Sequence, residues 1–149
     1  MIKKISNSIV DILDNTHGSK HSYYQTSIFY TKSLPIISLE DYIYRLVHYI
    51  NPEVTSFCLS LVYLDRFCHL TGLSPCKEII YRLYLICLII AIKYNEDSCL
   101  SNKAYSNIGG ISISDLNRLE KMFLKLIKYN LYVEEGLFEE YCSVLRLYI

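Results

Sequence analysis

Ten consecutive apolar residues, 83–92, leave this chain little choice of architecture. At 3.6 residues per turn such a run covers every face of a helix, so no face of it can meet water. As a helix the run is about 15 Å long, half of a bilayer's hydrocarbon depth. It therefore belongs at the centre of a helical bundle, with other helices wrapped around it. No glycine interrupts residues 73–108. Arg82 and Lys93 bracket the run. They are eleven residues apart and so lie on almost the same face.

Periodicity and punctuation place the remaining helices. We read helices at 2–14, 38–50, 52–71, 76–95, 102–108, 113–130 and 134–147, with a polar linker at 15–22. Ile2, Ile5, Ile9, Ile12 and Leu13 form one apolar stripe on the first. Leu137, Tyr141, Val144, Leu145 and Tyr148 do so on the last. Ser38 can cap the helix that follows Pro35, with Asp41 three residues on. Asn51-Pro52 and Ser74-Pro75 each place a capping side chain before a proline at the first helical position. Alternating polar and apolar stretches are missing, so the expected fold is all-α without a sheet. The organisation expected is an N-terminal helix and linker over 1–22, then one domain over 23–149.

Composition narrows the functions. Lys plus Arg and Asp plus Glu number fifteen each, and a neutral total argues against nucleic acid as the main partner. Fifteen tyrosines and no tryptophan give much of the aromatic surface a hydroxyl tip, suited to water or to a partner's surface. The six cysteines contain no CxxC pair, and Cys58, Cys68 and Cys87 fall within apolar helical runs, so they read as reduced structural thiols of an intracellular protein, nuclear or cytoplasmic. The first residues lack a signal-peptide apolar core, and no segment suits a membrane span. The four histidines are scattered, and no metal-binding, nucleophile-elbow or phosphate-loop motif occurs. We expect no catalytic residue, no metal and no cofactor.

Four segments, in this order, resemble a cyclin box. They are Tyr63-Leu64-Asp65-Arg66-Phe67, residues 91–97 (AIKYNED), residues 102–110 (NKAYSNIGG) and residues 116–124 (LNRLEKMFL). The segment 29–49 is similar to the P/U-type cyclins of the phosphate-pathway kinase group. The resemblance covers about residues 23–141. Many cell-cycle cyclins carry a Met-Arg-x-Ile-Leu substrate-docking patch, where this chain has residues 35–39 (PIISL). They also carry a second box, for which 149 residues leave no room. P/U-type cyclins share both traits.

The resemblance implies a single five-helix cyclin box with a flanking N-terminal and C-terminal helix. It implies a partner, the catalytic subunit of a cyclin-dependent serine/threonine kinase. The chain would be a monomer alone and a heterodimer in function. In that family a lysine ending the third helix and a glutamate in the fifth anchor the kinase, and they match Lys93 and Glu120. Tyr94, Leu124, Tyr129 and Leu131 match neighbouring contact positions. Arg45, Asp65 and Arg66 are expected to serve the fold, Asp65 by pairing with Arg45 or capping a neighbouring helix. Two other readings share the fold: a cyclin-box adaptor that binds without activating, and a transcription-factor IIB-like module that binds promoter DNA.

Overall fold

The computed structural model of the chain describes Lys3, Asn7, Ile9 and residues 24–145. A short 3-10 helix, Tyr24–Phe29, leads into six α-helices. These are α1 (Leu39–Ile50), α2 (Val54–Thr71), α3 (Lys77–Asn95), α4 (Asn102–Gly109), α5 (Ile113–Leu126) and α6 (Glu135–Val144). No strand occurs among the described residues, and the architecture is an all-α cyclin-box bundle. No helix among them is long and apolar enough to cross a membrane.

The run 83–92 sits where its composition requires. Every residue of 83–92 is at most 3% exposed, which makes α3 the bundle's axis. Helix α2 lies against it and buries Phe57, Cys58, Leu61, Tyr63, Leu64 and Phe67. Phe67 then links three elements. Its ring lies 4.9 Å from Phe29 of the 3-10 helix and stacks at 5.2 Å on Phe123 of α5. Of the expected N-terminal helix, Lys3, Asn7 and Ile9 are helical, and Ile9 is fully buried in the common core. The rest of that segment and the linker 15–22 lie outside the described residues.

The helix starts are partly as read. Ser38 caps α1, its Oγ accepting from the Asp41 N–H at 3.1 Å. Ser101 and Ser112 do the same for α4 and α5. Each such cap is worth about 1 kcal/mol. The expected caps Asn51 and Ser74 are corrected. Asn51 instead ends α1 in the left-handed conformation, φ 52°, its N–H donating to Val47 O. The N-cap of α2 is Glu53 and that of α3 is Cys76, neither with a side-chain cap bond. A residue used to close one helix is not free to open the next. For α2 the missing acceptor comes from elsewhere in the chain: Glu96, just past α3, accepts from the Glu53 N–H at 2.9 Å and from Ser56 Oγ at 2.6 Å.

Glycine matters where α4 meets α3. A Cβ on Gly109 would stand 2.4 Å from Leu85 Cδ2, so any larger residue there must displace the buried Leu85 side chain. Gly110 follows at φ 69° and closes α4, its N–H donating to Ser106 O.

Candidate functional site

The ends of α3, α4 and α5 converge on one polar cluster. Lys93, in the last turn of α3, donates from Nζ to Glu120 Oε1 and to Asn102 Oδ1, both at 2.7 Å. Asn102, the first residue of α4, donates back to Glu120 Oε2 at 3.0 Å and to Asn117 Oδ1 at 2.8 Å. Both carboxylate oxygens of Glu120 and both amide atoms of Asn102 are engaged, so the three side chains form one small network. The Lys93 and Glu120 side chains are 30% and 19% exposed, which leaves the pair screened on one side and open on the other. The position of Lys93 also suits the negative end of the α3 dipole.

Exposed tyrosines follow in sequence on either side of this network. Tyr94, directly after Lys93, is half exposed, and Tyr129 and Tyr132 are more exposed still. The two latter stand on the turn after α5, whose shape comes from the backbone. Lys128 and Tyr129 both adopt the left-handed region, at φ 56° and 55°. The Tyr129 N–H donates to Leu124 O at 2.8 Å. Two consecutive non-glycine residues in that region store strain, of order 1–3 kcal/mol each, and need support from neighbours. This turn ends α5 at Leu126, short of the expected 130.

The support comes from α2. Arg66 donates to Asn130 O, and to Tyr132 O at 3.2 Å. Between those two carbonyls, Leu131 O accepts from the Tyr63 hydroxyl at 2.8 Å. Burial raises the Tyr63 hydroxyl above its ordinary pKa, and nearby Tyr94 adds to the effect. Three successive carbonyls of the turn, 130–132, are thus held by α2. Leu124 and Leu131 are half-buried against the core and complete the apolar part of the face.

The residues singled out from the sequence fall into two groups. Lys93 and Glu120 meet directly, and Tyr94, Leu124, Tyr129 and Leu131 lie on the segments that flank them. Arg66 braces the turn. Asp65 accepts from the Tyr141 hydroxyl and so ties α6 to α2. The expected Arg45–Asp65 pairing is not formed, because Arg45 lies at α4, where it donates to Asn107 O at 3.4 Å. Tyr63, Asn102 and Asn117 lie in the motif segments but carry no role in the sequence reading, and Tyr132 lies outside those segments. Asn102 and Asn117 are ordinary helix-surface types whose value depends on a tertiary meeting. Tyr132, three residues after Tyr129 in a chain rich in tyrosine, carried no separate mark.

The structure thus brings Lys93, Glu120 and Asn102 together at one end of an all-α bundle. The cyclin family model matches residues 4–131, and the chain belongs to the cyclin family. It is 33% identical to Cyclin-U2-2 of Arabidopsis thaliana over 123 residues, 82% of this chain and 54% of that protein. It is 32% identical to Cyclin-U4-1 of the same plant, covering 61% of it. Cyclin-P4-1 of Oryza sativa subsp. japonica is 31% identical over 121 residues, covering 80% of this chain and 57% of the relative. The chain therefore spans somewhat more than half the length of these relatives.

Proposed function

We propose that this chain is the regulatory subunit of a cyclin-dependent serine/threonine kinase, and that it activates the kinase by holding its αC helix in the working position. The supporting observation is the Lys93–Glu120 pair, locked by Asn102 and set beside Tyr94 and Tyr129. The polar pair would fix orientation, and the apolar and tyrosine surface would supply most of the contact energy.

A kinase needs its αC glutamate paired with the β3 lysine before it can position ATP. A partner that binds only the inward αC shifts that equilibrium by no more than its difference in affinity for the two states. The cyclin contributes shape and no chemistry. The turn bearing Tyr129 and Leu131 is already braced by Tyr63 and Arg66, so little ordering cost remains at docking.

The test is to add the purified chain to a matching catalytic subunit and measure phosphate transfer. Activity should rise with the chain and return to the basal level with the Lys93→Ala, Glu120→Ala double variant. Undiminished activation by that variant would refute the interface. Capture of the kinase without any gain in activity would favour a non-activating adaptor.

A further inference from the structure

The other end of α3 carries a second polar site, which kinase binding at Lys93 does not use. A recess of about 430 Å³ opens between the segment after the 3-10 helix, α1, the start of α3 and the α4–α5 junction. Among its lining residues are three cations, Lys32, Arg45 and Arg82, and one carboxylate, Asp115. That is a local excess of two positive charges in a chain whose formal charges cancel. Arg82 donates to Ile28 O at 2.9 Å and pairs with Asp115 at 3.3 Å. Its Nε is buried without a hydrogen-bond partner, and so is Oγ1 of Thr31, another lining residue. Lys32 and Ser33 are exposed at the rim.

We propose that this recess binds a phosphoryl group, as a free phosphate or as a phosphorylated side chain. The donors fit that chemistry. An ammonium, two guanidinium groups and two hydroxyls around one concavity match a compact tetrahedral dianion with several acceptor oxygens. Two buried polar atoms without partners are costly to keep, and a ligand oxygen reached by a small side-chain adjustment would satisfy them. A metal cation is disfavoured by the positive excess. An extended nucleic acid is disfavoured because the charge is gathered in a recess and does not run as a stripe. The volume exceeds what one phosphate fills, so a phosphorylated side chain with neighbouring residues can enter.

The site is separate from the proposed kinase face. Arg82 and Lys93 are eleven residues apart on one straight helix, about 16 Å along its axis. Occupancy is therefore compatible with a docked kinase. The inference does not depend on the kinase reading, because it is tested on the chain alone.

The experiment titrates the full chain at constant ionic strength with three probes: inorganic phosphate, a phosphoserine peptide with neutral flanks, and the same peptide unphosphorylated. Binding is followed by amide chemical shifts. Phosphate or the phosphopeptide should bind saturably, with Kd of about 1 mM or tighter. Lys32→Glu and Arg45→Gln should each weaken binding at least tenfold, whereas Lys121→Glu, on the exposed surface of α5, should not. A phosphopeptide at least tenfold tighter than phosphate would identify a phosphoprotein as the source, and similar affinities would identify the free anion. The proposal is overturned if neither phosphorylated probe saturates, if the unphosphorylated peptide binds equally well, or if Lys32→Glu has no more effect than Lys121→Glu.

Discussion

Lys93 and Glu120 meet at 2.7 Å across the end of α3, and Asn102 from α4 bonds to both. Three helices thus share one set of polar partners. Asn102→Ala removes its bonds while leaving the ion pair. It should cost about 1–2 kcal/mol of stability by urea denaturation. Combined with Lys93→Ala, the loss should differ from the sum of the two single losses by at least 0.5 kcal/mol, roughly the threshold for coupled sites. Strict additivity would show that the three side chains do not act as a unit.

Glu96 should count for stability although it lies outside the bundle's core. Its carboxylate caps α2 across a gap of 43 residues, bonding to the Glu53 N–H and Ser56 Oγ. Glu96→Ala strands both donors and should lower stability by about 1–2 kcal/mol. Glu96→Gln keeps an acceptor oxygen and should retain most of it. Equal melting temperatures for Glu96→Ala and the parent chain would remove this role.

Much of this was legible in advance, for physical reasons that differ by element. The run 83–92 has no polar face, so its central burial follows from composition alone. Ser38, Ser101 and Ser112 cap locally, within three residues, so a local signal was available for them. Asn51 and Ser74 are capping residue types before helices, yet they do not cap: Asn51 closes α1 while distant Glu96 supplies the acceptor for α2, and the N-cap of α3 falls two residues after Ser74, at Cys76. Lys93 and Glu120 stand out because the family pattern gives them a role, whereas Asn102, although inside a segment that resembles the family, is given none by that pattern. The left-handed pair Lys128 and Tyr129 contains no glycine to announce a turn. Its geometry depends on Arg66 and Tyr63, more than 60 residues earlier. Tertiary supply of a donor or acceptor is what local reading misses.

Gly109 and Gly110 should resist substitution for different reasons. Gly109→Ala drives a Cβ into the buried Leu85 side chain and should cost about 1–3 kcal/mol through overpacking. Gly110→Ala meets nothing within 4 Å, but forces a side chain into φ 69°, at about 1 kcal/mol. Leu85→Ala should therefore soften the effect of Gly109→Ala and leave that of Gly110→Ala unchanged. A double-mutant cycle by chemical denaturation decides it, and equal coupling at both glycines would contradict the assignment.

Alkaline pH should unfold this chain progressively, and its buried weak acids give the sign. Burial lifts the Cys58 thiol from 9.0 to about 12, with the Cys142 thiol at 3.1 Å contributing. Cys68 is likewise lifted to about 12, first by burial and then by Asp65. Burial also raises Cys87, Tyr42 and Tyr84. In the unfolded chain these thiols lose their protons near pH 9, while the folded chain keeps them. The folded state then binds more protons, so its stability declines as pH rises. The contribution is complete below about pH 9 and is lost between about pH 9 and 12, as the folded thiols finally ionise. The urea midpoint should be flat from about pH 7 to 8.5 and fall steadily above about pH 9.5, with a shallower fall in Cys58→Ala. A midpoint that stays level up to about pH 11 would show that these groups titrate as if exposed.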